Sequence, residues 1–274
     1  MRKNREIKIW GVRGSAPRPE ADHLEFGGNT TCISVDCGDD LVVLDAGSGL
    51  SALGRALAAG GDRRSIHILL SHLHLDHVMG LFSFSPLHNP KAEIHIYAQV
   101  ASFHKLETLV GPPFWPVGLS DCPASVSFHE LWADEHFSFN GLDGYTMAGN
   151  HPNGSLLYRL EFPDPAQTET KKSLTYALDC EADASTLPSL TEFSHKTDLL
   201  IWDACFMSDD LRPGWGHSTW EQGIRVRKAA QAGTVLMTHY SQDYSDSFLR
   251  IQKEKAARMD PACQFAKEGM VITL

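Results

Sequence analysis

A chain of 274 residues, 42% hydrophobic and 21% charged, has the length for a full core and the make-up of a globular protein, which excludes collagen-like, low-complexity and largely disordered chains. Its 24 basic and 34 acidic residues leave a formal net charge of −10, which opposes long-range attraction to nucleic acid or to anionic membranes. No run approaches the ~18 apolar residues of a membrane span, residues 1–6 are charged with no signal-peptide core behind them, and six scattered cysteines form no C-x-x-C pair, so a reduced, cytoplasmic chain is expected.

In chain order, the apolar and β-branched runs 7–10, 31–37 and 41–44 read as strands, each bounded by Gly, Asp or Pro. Residues 11–29 carry Gly, Pro and charge without periodicity and read as a loop. The Leu- and Ala-rich stretch 50–59 closes at Gly60-Gly61, which predicts a helix stopped by glycine. A buried strand at 66–70 then runs into Ser71-His-Leu-His-Leu-Asp-His77. Further strands are expected at 93–97, 125–131, 144–148, 155–162, 173–178, 199–202 and 234–238, and helices at 100–109, 218–232 and 245–258. Many short strands with irregularly placed helices predict an α/β chain of the α+β type, with two facing sheets and helices outside. With no internal repeat and no long Ser/Gly linker, residues 1–274 are expected to form one domain.

Histidine is abundant, at 14 residues. His72, His74, Asp76 and His77 fall within six positions at the end of a strand, where side chains two apart point the same way, so His72 and His74 can converge on one ion. Asp76 and His77 diverge in extended chain, and a turn after the strand would aim both at a second ion. His151, Asp179 and His239 also stand where strands are expected to end, facing loops. His23, His67, His88, His95, His104, His129, His136 and His195 have no such partner and read as ordinary core or surface residues.

The block His72-Leu-His-Leu-Asp-His77 resembles the defining motif of the metallo-β-lactamase superfamily, and His151, Asp179 and His239 resemble its later ligand motifs in order. The resemblance runs from Asp45-Ala-Gly-Ser-Gly49 to the last strand. It implies an αββα sandwich of two mixed sheets with two divalent metals at one edge, zinc first and manganese or iron as alternatives. It further implies that His72, His74 and His151 hold one ion, that Asp76, His77 and His239 hold the other, that Asp179 bridges both, and that Asp45 orients a ligand histidine. Ile201-Trp-Asp-Ala-Cys-Phe206 with Gly216-His-Ser-Thr219 is similar to the paired motifs of the ribonuclease Z branch. By that likeness Asp203, where the branch usually has Glu, and His217 would assist proton transfer.

The branch implies phosphodiester hydrolysis by a hydroxide held between the ions, with Asp76, His217 and Asp203 as catalytic residues. A tRNA-processing member usually carries a long basic arm. Here the interval from His151 to Asp179 has room for a hairpin, and sets Glu161, Asp164 and Glu169 beside Arg159, Lys171 and Lys172. Nucleic acid is therefore not the expected partner, and a small phosphodiester is. Trp10-Gly-Val-Arg-Gly-Ser-Ala-Pro17, Phe26-Gly-Gly-Asn-Thr-Thr31 and Gly111-Pro-Pro-Phe-Trp-Pro-Val117 resemble segments of cyclic-nucleotide phosphodiesterases with this fold, which implies a cyclic nucleotide. Phe114 and Trp115 either form a wall for a base or plug the core beneath their loop. Arg13 and Asn29 either reach a phosphate or build turns. A homodimer packed through the aromatic loop is an expectation. The alternatives are a tRNA 3′ endonuclease and a metal-binding protein without turnover.

Overall fold

Alternation along the strands decides which side chains face which layer. The structure is a computed structural model that describes residues 5–62, 64–163 and 171–274, so most of the charged start and the acidic residues Asp164 and Glu169 lie outside the described residues. In chain order the strands are β1 (Glu6–Gly11), β2 (Cys32–Asp36), β3 (Asp40–Leu44), β4 (Ser65–Leu69), β5 (Glu93–Gln99), β6 (Ser125–Leu131), β7 (His136–Phe139), β8 (Leu142–Gly149), β9 (Ser155–Pro163), β10 (Lys171–Ala177), β11 (Leu199–Asp203), β12 (Thr234–Thr238), β13 (Cys263–Phe265) and β14 (Val271–Thr273). They pair as two seven-stranded sheets, β14-β1-β2-β3-β4-β5-β6 and β13-β12-β11-β10-β9-β8-β7.

Each sheet is antiparallel on one side and parallel on the other. In the first, β1, β2 and β3 form a meander and β3 to β6 run parallel. In the second, β7 to β10 form the meander and β10 to β13 run parallel. Parallel neighbours need crossovers, and helices supply them: α1 (Leu50–Gly60), α2 (Leu75–Val78) and α3 (Phe103–Leu109) in the first half, α4 (Leu187–Phe193), α5 (Trp220–Ala230) and α6 (Asp246–Met259) in the second. Period-two burial then assembles the layers. Val42 and Leu44 of β3 join Leu156, Leu160, Tyr176 and Ile201 between the sheets, while Leu41 and Val43 join Leu50 and Leu53 of α1 behind the first sheet. The expected αββα layering is present. Among the described residues no helix is long and apolar enough to cross a membrane.

Most expected elements fall within a few residues of their observed bounds. The helix expected from residue 100 begins at Phe103, because Ala101 sits at φ 64°. Three short strands, β7, β13 and β14, and the helices α2 and α4 have no counterpart in the sequence reading. The β7–β8 hairpin turns on Asn140-Gly141, both at positive φ (45° and 84°), the conformation a two-residue hairpin with this dipeptide favours.

Leu160 is fully buried between the sheets. Leu160→Ala is expected to lower unfolding free energy by about 2–5 kcal/mol in urea titration. Ile251→Ala, on the exposed side of α6, is expected to stay within about 0.5 kcal/mol.

Candidate metal centre

Register delivers the chemistry to one edge. Asp45 directly follows β3, its amide bonds Leu69 O (3.0 Å), and its Oδ1 accepts the amide of Ser71 (2.7 Å) just past β4. Asp203 at the end of β11 pairs with Thr238 of β12, so His239 stands one step beyond it. Asp179 follows β10, and its amide donates to Asp203 Oδ2 (3.1 Å). His151 sits in the turn joining β8 to β9, where Ser155 Oγ donates to Asp179 O (2.8 Å) and ties that turn to the β10 end. Asp45, Asp179 and His239 have φ of 57°, 51° and 59°. A left-handed residue immediately past a strand swings its side chain back over the sheet edge, a strained choice for residues other than glycine.

The His-rich block bends as its chemistry requires. His74 caps α2 in extended conformation, and the single helical turn that follows carries Asp76 and His77 around to the same side as His72. His72, His74 and His151 form one group of converging ligand atoms, His72, His77 and Asp179 a second, and Asp76, His77 and His239 a third, each within 4.8 Å of one another. Asp179 lies between them. Its Oδ1 is 3.9 Å from His72 Nε2 and 3.6 Å from His151 Nε2, and its Oδ2 is 3.2 Å from Nε2 of both His77 and His239. Asp76 Oδ2 is 3.3 Å from His77 Nε2 and 3.4 Å from His239 Nε2.

The donor set fits cations. His72 Nε2 and Asp179 Oδ2 are buried with no hydrogen-bond partner among the described residues. Imidazole nitrogens face one another at 3.1 Å (His74 Nδ1 and His151 Nε2) and 3.2 Å (Nε2 of His77 and His239). Nitrogen lone pairs crowded with carboxylate oxygens at such spacing are what borderline divalent ions take as ligands. The outer nitrogens are already engaged: His77 Nδ1 with Asp45 Oδ2 (2.7 Å) and His151 Nδ1 with Gly216 O (2.9 Å). Protons on those Nδ1 atoms leave each Nε2 lone pair pointing inward. Tyr176, whose hydroxyl donates to Asp45 Oδ2 (2.6 Å), and Ser71 complete the support. The sequence reading missed both; an aromatic residue in a core strand carries no signal of such a bond.

Electrostatics pull the histidines in opposite directions. Burial pushes His72 well below the ordinary imidazole range, helped by His77 beside it. His77 is raised well above it, since burial, which lowers, is outweighed by Asp179, Asp76 and Asp45. Asp179 and Asp76 are held below the usual carboxylate range against their burial, Asp179 by His239 and His77 and Asp76 by His77 and His239. His217 lies against this group: its Nδ1 is 2.9 Å from Asp203 Oδ2, and its ring stacks on His239 at 5.3 Å. Burial lowers His217, yet Asp203 outweighs it and pushes it up to about 9.

Other expected residues go elsewhere. Arg13 is fully buried, donating to Gly27 O (2.7 Å), Tyr244 O (2.7 Å) and His23 O (3.4 Å) beside Asp246. Asn29 is held by Glu268 and Ser48. A buried guanidinium needs acceptors on all sides, and this one finds them in two loops that it clasps together, so neither side chain is brought to the cluster. Phe114 is 67% exposed, whereas Trp115 is half-buried and stacks on Phe82 at 4.9 Å. Unforeseen contributors are Ser15, whose amide donates to Asp76 Oδ2 (2.7 Å), and Gly14, where a Cβ would lie 2.5 Å from His239 Cε1. His95 and His129, read as unpartnered, meet at 3.1 Å well away from this edge.

Residues 35–240 match the family model described as "Beta-lactamase superfamily domain". Ribonuclease Z of Pyrococcus horikoshii is similar at 23% identity, with 93% of this chain and 92% of that protein covered. Among solved structures, the metallo-beta-lactamase fold protein YhfI from Bacillus subtilis has a TM-score of 0.74 at 21% identity, covering 98% of this chain and all of that one. A diphosphatase from the PhnP family has a TM-score of 0.70 at 20% identity, with 98% of each chain covered.

Zinc added to the metal-free chain is expected to raise its melting temperature, and Asp179→Asn to remove most of that rise, as read by thermal scanning with and without chelator. Gly14→Ala is expected to weaken the zinc effect as well, because its methyl group meets the His239 ring.

Proposed function

This chain belongs to the β-lactamase superfamily, and from that membership we propose that it is a dinuclear metal-dependent phosphodiesterase that hydrolyses a small phosphodiester, a cyclic nucleotide fitting best. The observation that carries the reading is Asp179, a single carboxylate with one oxygen toward His72 and His151 and the other toward His77 and His239. In this reading His72, His74 and His151 would hold one ion, Asp76, His77 and His239 would hold the other, and Asp179 would serve both. Zinc suits these donors, with manganese and iron as alternatives. When bound, a divalent pair supplies positive charge for phosphoryl oxygens and acidifies water.

The chain's own groups do the rest. Asp45 keeps the proton of His77 on Nδ1, and Gly216 O does the same for His151, so both rings keep their aim. Asp203 is shorter than the Glu expected there but still reaches His217 Nδ1, and its second oxygen is fixed by the Cys205 amide (2.8 Å). His217 is thereby held as the acid that protonates the departing 3′ oxygen as the phosphorus–oxygen bond breaks. The net charge of −10 and the hairpin that fills most of the interval from His151 to Asp179 favour a small substrate over tRNA. The relatives named ribonuclease Z favour the second reading, a tRNA 3′ endonuclease.

Assay of the metal-replete chain against cyclic mononucleotides, bis(p-nitrophenyl) phosphate and precursor tRNA separates the two. Turnover of a cyclic mononucleotide is expected, and cleavage of tRNA alone would favour the second reading. Asp76→Ala is expected to abolish turnover. His217→Ala is expected to lower kcat on the cyclic nucleotide by about 10²- to 10⁴-fold. It should lower kcat far less on bis(p-nitrophenyl) phosphate, whose nitrophenolate departs without a proton.

A further inference from the structure

Past β11 the chain passes Phe206 and forms a loop, 207–216, that ends on His217. The loop is fastened at its close: Glu181 Oε2 accepts the amides of Gly214 (2.7 Å) and Gly216 (3.2 Å), and Gly216 O is bonded to His151. Gly216, at φ 77°, allows this approach, since a Cβ there would lie 2.3 Å from His151 Nδ1. Between these two glycines stands Trp215, 56% exposed. Its ring meets the edge of Phe206 at 6.4 Å, and Phe206 meets His217 at 5.7 Å. One phenyl ring thus separates an exposed indole from the proposed proton donor. The Arg212 guanidinium lies over the indole at 4.7 Å and has no carboxylate partner among the described residues.

An indole fixed by backbone bonds on both sides loses little freedom on binding, and flat rings and guanidinium planes are the surfaces on which nucleobases stack. We propose that exposed Trp215 and Arg212, backed by the buried ring of Phe206, form the subsite that receives the base of the substrate, with Glu181 positioning the loop. This rests on the phosphodiesterase reading and deepens it. The base is read by this shelf beside His217, and the Phe114 loop is not required.

Steady-state kinetics test it on the metal-replete full chain, with adenosine 3′,5′-cyclic phosphate and the corresponding base-free sugar cyclic phosphate as probes. Trp215→Ala is expected to raise KM for the nucleotide about 5- to 150-fold, the equivalent of ~1–3 kcal/mol of stacking, while kcat changes less than about twofold. Trp215→Phe is expected to restore most of the affinity, and the base-free probe to be insensitive to both changes. An unchanged KM for the nucleotide in Trp215→Ala, or an equal loss on both probes, overturns the subsite while the phosphodiesterase reading stands. Turnover of bis(p-nitrophenyl) phosphate without turnover of the nucleotide overturns the subsite alone, and absence of turnover of the nucleotide, the base-free probe and bis(p-nitrophenyl) phosphate by the unmutated chain overturns both.

Discussion

Four carboxylates, Asp45, Asp76, Asp179 and Asp203, are buried at one edge of the sandwich, and the charged groups they meet are imidazoles. Buried negative charge is costly unless it is hydrogen-bonded and balanced by positive charge. Asp45 meets the first condition with Ser71, His77 and Tyr176, and Asp203 meets it with two backbone amides and His217. Asp76 and Asp179 do not: apart from the amide of Ser15 they face imidazole nitrogens. Protons on His77 and His239 would balance them by placing two positive rings side by side, which those two nitrogens 3.2 Å apart resist. Divalent cations would remove the conflict, since they would let the imidazoles stay neutral and the carboxylates ionised.

The surrounding fold holds that conflict in place. Parallel strands present their carboxyl ends together, where ligand sites of such sheets form. Left-handed residues at Asp45, Asp179 and His239 convert three strand ends into inward-pointing side chains. Each such residue costs of order 1–3 kcal/mol, which the inter-sheet core must offset. The capping box of α5, Thr219 with Gln222, begins two residues after His217, so the segment that carries this ring enters a well-anchored helix.

What was legible in the sequence follows from how local each signal is. Central strands showed themselves because their apolar runs bury on both faces, and α1 showed itself by its Leu pattern and Gly61. Short edge strands such as β14 carry too few residues for a pattern, and β7 was missed even though Asn140-Gly141 marked its turn. The seven candidate ligands, His72, His74, Asp76, His77, His151, Asp179 and His239, were legible because His, Asp and strand ends coincide in the chain. For Arg13 the sequence leaves a phosphate contact and a turn-building role both open, because a charged residue in a Gly-rich loop reads as exposed; the long-range bond to Tyr244 O, with those to Gly27 O and His23 O, gives it the loop-building role. The roles of Ser71, Tyr176, Ser15 and Gly14 are not legible in the sequence, although three of them stand in segments it marks, since those roles depend on partners distant along the chain.

Anomalous diffraction from crystals of the zinc-loaded chain tests the shared carboxylate most directly. Two zinc peaks on either side of Asp179, one among His72, His74 and His151 and the other among Asp76, His77 and His239, are expected. A single peak, or peaks that leave the Asp179 carboxylate without a metal contact, would contradict the two-cation centre.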